Sequence, residues 1–150
     1  MNRNKNYISS VKDMSLSLLA EGKTIRIKAH GYSMYPAIRP GSLILIEPLK
    51  LKGNPVPGEI VALKRDAGMV VHRLVKKEIK NGVIYFITRG DSNAITDNPV
   101  TIDKIAGRIV RSEATGENPV PADVSINTKP NYIFNRLRVI YIFIMKKIRS

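Results

Sequence analysis

Cysteine is absent from the 150 residues, and with it go disulfides, thiolate-bound zinc and a cysteine nucleophile. Tryptophan is absent too, and aromatic residues make up 6% of the chain, which leaves no stacking platform interleaved with basic strands as single-stranded nucleic-acid binders use. There are two histidines, His30 and His72, with no Asp/Glu cluster beside either, so a dedicated metal site is not expected and no cofactor is implied. Long apolar runs are missing as well. The longest, Val139 to Met145, falls far short of the ~20 residues that a spanning helix needs, and Lys12, Asp13 and Glu21 interrupt any secretory h-region. The expectation is a chain without signal peptide or transmembrane span, cytoplasmic or peripherally membrane-associated.

Acidic residues are the scarce charge, 12 against 25 Lys and Arg, for a net charge of +13. That surplus favours anionic partners such as nucleic acid or anionic lipid without choosing between them. A length of 150 residues suits one catalytic domain with a real core.

Periodicity organises the chain into four parts. Residues 1–23 hold an amphipathic helix over 10–21, opened by a Ser10–Asp13 capping box, carried by Val11, Met14 and Leu18, and closed by Gly22. Residues 24–113 read as short strands. Ile25, Ile27 and Ala29 alternate with charges, Leu43 to Ile46 is an apolar run, and further strands are expected at Glu59–Lys64, Met69–Val75, Val83–Thr88 and Ile105–Arg111. Turn signals at Pro40-Gly41, Pro57-Gly58, Asp66-Ala67-Gly68 and Asn81-Gly82 separate them. Residues 114–130, rich in Pro, Asn and Thr, read as a linker. Residues 131–150 place Ile133, Leu137, Tyr141, Ile144 and Ile148 on one helical face with Arg136, Arg138, Lys146, Lys147 and Arg149 elsewhere, a basic amphipathic helix suited either to docking on the β domain or to peripheral contact with a membrane.

A serine hydroxyl becomes a useful nucleophile only when a base takes its proton and a third group holds that base in the right tautomer. One consistent set is present. Ser33 follows a strand in the turn Gly31-Tyr32-Ser33-Met34-Tyr35-Pro36, where its backbone N–H is available to an oxyanion. His72 lies in the alternating strand Met69–Val75, and the segment Arg89-Gly90-Asp91 to Asp97 supplies two carboxylates, Asp91 and Asp97, either able to orient an imidazole. Taken singly, each has an ordinary reading: a turn serine, a satisfied strand histidine, a turn aspartate. His30, with nothing to pair with, keeps the structural reading, and Arg73 is expected on the opposite strand face in an ordinary salt bridge.

The order of the boxes goes further. Gly31 to Gly41, Pro57-Gly58-Glu59-Ile60-Val61, Val71-His72-Arg73-Leu74-Val75, Arg89-Gly90-Asp91-Ser92-Asn93 with Asp97, and Gly107-Arg108-Ile109-Val110 resemble, in sequence order over residues 24–111, the boxes of the signal peptidase I family of serine peptidases. A histidine at position 72 resembles the branch, found in the endoplasmic reticulum and archaea, whose base is histidine rather than lysine. The resemblance implies a mainly β fold, the signal-peptidase/SOS-repressor-like antiparallel β domain, here with an N-terminal amphipathic helix and a C-terminal basic one. It implies that Ser33 attacks, His72 is the base, Asp97 aligns His72 and Asp91 supports its turn, on an extended leader or signal peptide with small residues before the cut. Two features depart from that family. Gly31 replaces a serine whose hydroxyl helps hold the oxyanion, a donor worth about 3 kcal/mol, and no N-terminal span is found. The alternatives are a cytosolic repressor-like or self-processing peptidase, motivated by the missing membrane anchor; a catalytically weak peptide-binding relative; and, least favoured, a nucleic-acid-binding β module. Ala106-Gly107 separately resembles the bond that SOS repressors cut in themselves. Ala106-Gly107 falls where a strand is expected and is read as structural. Oligomeric state is not legible.

Overall fold

A computed structural model describes residues 13–66, 68–113 and 129–149. Helix α1 covers 13–20; the proposed capping residue Ser10 and the linker 114–128 lie outside the described residues. Gly22, at φ 88°, closes α1 as expected: its N–H donates to Leu19 O and that of Lys23 donates to Leu18 O.

Six strands follow: β1 (Ile25–Lys28), β2 (Leu43–Pro48), β3 (Ile60–Arg65), β4 (Gly68–Lys80), β5 (Val83–Arg89) and β6 (Ile105–Glu113). They form one antiparallel sheet in the order β1-β2-β6-β3-β4-β5. The fold is mainly β with a helix at each end, as the sequence indicated. Helix α2 (Tyr132–Ile148) is capped by Asn131, whose side chain accepts from the Phe134 N–H at 3.1 Å.

β4 runs five residues beyond its expected end. Lys76, Lys77, Glu78 and Lys80 mask the strand's apolar alternation, yet the backbone continues to the Asn81-Gly82 turn, where both residues take positive φ (51° and 76°) as a two-residue hairpin turn requires. A register shift between Leu74 and Lys76 kinks β4 against β5 just past His72.

The sheet is covered on both sides at its centre. Ile60 and Ala62 of β3 join Leu19, Met34, Ile38, Ile44, Ile46 and Ile109 in one cluster, while Val61 and Leu63 join Leu74, Phe86, Val100 and Ile105 in another. All four β3 residues are fully buried, as expected of an apolar run in a strand packed on both faces. Alternation along β4 then decides where the polar groups fall: His72 pairs across from Val61 and Arg73 from Ile60, so the two side chains leave opposite faces.

Candidate active site

Ser33 sits in the turn after β1, half-buried, preceded by Gly31 at φ 79° and followed by a cis Tyr35–Pro36 bond. This turn is pinned to the segment after β5. The Ser92 N–H donates to Ser33 O at 2.9 Å, and Ser92 Oγ donates to Tyr32 O at 2.6 Å. The approach depends on Gly90: a Cβ there would meet Ser33 O and the Asn93 side chain, each at 2.8 Å. Ser33 also lines a cleft of about 220 Å³ whose walls include Ile27, Ala29 and Gly31 on one side and Met69, Val70 and Val71 of β4 on the other. Val71, the last of the β4 residues in that wall, immediately precedes His72, whose own side chain leaves the opposite face of β4.

His72 is buried and its Nδ1 lies 2.6 Å from Asp97 Oδ2. With Nδ1–H donated to Asp97, the remaining lone pair of a neutral imidazole resides on Nε2. Among the described residues no hydrogen bond joins Ser33 Oγ to His72. Asp97 is itself fixed twice by one residue. Its N–H donates to Thr88 O at 2.7 Å, and its Oδ2 accepts from Thr88 Oγ1 at 2.6 Å. Burial, the largest single influence on the Asp97 carboxyl, pushes its pKa up. The hydrogen bonds from His72 and Thr88, with the attraction of His72 and Arg65, together outweigh burial and hold the group below its ordinary value.

Asp91 does something different. Both of its oxygens accept from Arg73, Nε at 2.9 Å and Nη2 at 2.7 Å, in a pair whose side chains are only 4% and 1% exposed. Arg73 Nη1 also donates to Gly58 O at 2.8 Å, and Asn135 Nδ2 of α2 donates to Asp91 O at 3.2 Å. Of the two carboxylates left open by spacing, the one bonded to His72 is Asp97, whereas Asp91 ties β4 to its own turn and to α2. The Arg73 salt bridge, expected to be ordinary, is a buried bidentate one. His30, expected to be a satisfied structural histidine, is exposed at the rim of the cleft.

Thr88 and Ser92 escaped the sequence reading. Thr88 is a β-branched residue at the end of a strand, and nothing in its spacing separates it from any other strand threonine. Ser92 lies within the aspartate box and carried no signal of the turn it would grip.

Ala106-Gly107 lies inside β6, between β2 and β3. A Cβ at Gly107 would stand 2.4 Å from Glu47 O, so glycine is required there for strand approach.

A comparison with curated proteins finds no match. A family model described as Peptidase S24-like matches residues 2–110, a stretch that holds Ser33, His72, Asp91 and Asp97 together with all of β1 to β5 and the start of β6. By its sheet, its ordered boxes and this match, the chain belongs to the Peptidase S24-like family.

Proposed function

We propose that the protein is a serine endopeptidase of the signal-peptidase type, with Ser33 as nucleophile and His72 as general base. The observation that supports this reading most is the 2.6 Å contact between His72 Nδ1 and Asp97 Oδ2, one residue along β4 from the wall of the cleft that Ser33 lines. Asp97 holds the imidazole in the tautomer whose Nε2 accepts a proton, and it stabilises the imidazolium that forms. Ser33 Oγ attacks the scissile carbonyl as its proton passes to Nε2. That proton then goes to the leaving amine, and water, activated by the same nitrogen, releases the acyl group from Ser33. The Ser33 N–H, which donates to no group among the described residues, supplies an oxyanion donor. Gly31 offers no hydroxyl to add a second.

The substrate is an extended leader or signal peptide with small residues before the cut. From Gly68 to His72, β4 is hydrogen-bonded to β3 on one side and meets β5 only from Arg73 onward, which leaves an edge beside the cleft where a peptide strand can add. The repressor-like or self-processing alternative, motivated by the missing membrane span, falls within the same S24-like family, but Ala106-Gly107 is held in the middle of the sheet and is not offered as its cleavage bond.

Cleavage of an Ala-rich leader peptide by purified protein tests the assignment. Ser33→Ala and His72→Ala are each expected to lose at least about a thousandfold in kcat/KM while staying folded. Unchanged cleavage by Ser33→Ala would sink the mechanism.

A further inference from the structure

Helix α2 carries two apolar faces, and only one of them is used by the fold. Tyr132, Asn135, Val139, Ile142 and Met145 turn toward the domain and are half-buried or buried. The opposite side presents Ile133, Leu137, Ile140, Tyr141, Ile144 and Ile148, which are 77%, 58%, 43%, 63%, 52% and 72% exposed. The face expected either to dock on the β domain or to meet a membrane is mostly bare, although Ile133, Leu137 and Ile140 border a groove beside Arg89, Asn93 and Ala94. A contiguous apolar stripe is uncommon on the solvated face of a surface helix and marks an interaction surface.

We propose that this outer face binds an anionic membrane surface, lying flat in the headgroup region. On a helical projection Arg136 and Lys147 border the stripe on one side and Arg149 on the other, where long cationic side chains reach phosphates while their stems cover lipid; Arg138, on that second border, stands over the Phe134 and Tyr35 rings. No acidic residue occurs between 129 and 149. A second copy of the chain would bring two such cationic faces together and be repelled, whereas a plane of negative headgroups satisfies both borders at once. The helix is about 26 Å long by its residue count, and no helix among the described residues is long and apolar enough to cross a membrane, so the contact is parallel to the surface.

The same helix grips the nucleophile turn. Lys146 Nζ lies 2.7 Å from Tyr32 Oη, the Phe143 and Tyr32 rings meet edge-on at 5.1 Å, and the Arg138 guanidinium stands 5.8 Å from the centre of the Tyr35 ring. Docking α2 on a bilayer therefore fixes the position of residues 32–35 relative to that bilayer. Only the corollary, that a membrane-borne peptide meets Ser33 there, rests on the peptidase reading.

Flotation of the full chain with vesicles tests the docking without any catalytic readout, so its failure and that of the peptidase reading are separable. The chain is expected to float with vesicles of equal parts phosphatidylglycerol and phosphatidylcholine, and to bind phosphatidylcholine alone at least about tenfold more weakly. Leu137→Glu combined with Ile144→Glu, at exposed positions, is expected to lower binding at least about tenfold with an unchanged circular dichroism spectrum and melting curve. Because the chain has no tryptophan, Leu137→Trp supplies a single indole whose emission is expected to shift to the blue on the anionic vesicles, while Ile79→Trp, on a residue 72% exposed near the far end of β4, stays unshifted. No flotation, flotation indifferent to the double substitution, or an equal shift at position 79 would each overturn the proposal. So would a concentration-dependent dimer, lost in the double variant, without vesicle binding.

Discussion

His72 and Arg73 are adjacent on β4 and each holds a carboxylate, but the two pairs do different work. Asp91 is almost wholly buried against Arg73, and Arg73→Met would leave that charge uncompensated. Breaking such a pair costs about 3–5 kcal/mol, so Arg73→Met is expected to show a markedly lower thermal midpoint. Asp97→Asn is expected to act mainly on turnover: kcat falls with little change in KM, and more than in Asp91→Asn corrected for its folded fraction. Thr88→Val keeps shape while deleting the hydroxyl that bonds Asp97, and a hydrogen bond to a charged group is worth about 1.5–3 kcal/mol. A fall in kcat of about tenfold or more is expected, with normal folding by circular dichroism. The depressed Asp97 pKa also has a sign in stability. A carboxyl whose folded value lies below its unfolded one stabilises the fold above the unfolded value and loses that contribution as pH falls through the folded one. The wild type is therefore expected to lose its advantage over Asp97→Asn below about pH 4, measured by urea unfolding across pH. The histidine and both aspartates were legible because they stand in ordered boxes. Their division of labour was implied by the family resemblance, which set Asp97 on His72 and Asp91 on its turn, and not by spacing, since strand alternation only says that positions 72 and 73 part ways.

At the scale of elements, two glycines do what no other residue can. Gly90 lets the segment after β5 close on the Ser33 turn, and Gly90→Ala is expected to push Ser33 from its place, lowering activity by a larger factor than it lowers stability. Gly107→Ala should do the reverse, forcing β6 away from β2 and lowering the thermal midpoint. The strands were readable where apolar residues alternate or run together, and the Asn81-Gly82 hairpin was readable from its turn chemistry. The end of β4 was not, because charges on an edge region conceal a strand that is held by backbone pairing with β5. Helix α2 was readable as an element, but which of its faces the domain takes depends on partners far away in sequence: Tyr32, Tyr35 and the Asp91 carbonyl. Asn135, a polar residue on a helix otherwise rich in isoleucine, marks the inward side only once Asp91 is known to stand opposite.

For the whole molecule, the sheet has its strongest point in β3, flanked by β4 and β6 and buried on both faces. Amide hydrogen exchange is expected to be slowest at Val61–Leu63 and fastest, among regular elements, in α2, whose outer face is bare. The sheet order has one more consequence. β6, the last of the described strands in chain order, lies between β2 and β3. Until it arrives, the β1–β2 hairpin with Ser33 and the β3–β4–β5 meander with His72 and Asp97 share no strand pairing. A chain leaving the ribosome thus carries Ser33 and His72 on segments that no strand pairing yet joins, though the Ser92 contacts with residues 32 and 33 already span the two. The final nine-residue strand, Ile105–Glu113, unites them. Nascent chains halted before residue 105 are expected to remain protease-sensitive, with β1–β2 and β3–β5 held by no shared strand until β6 is added.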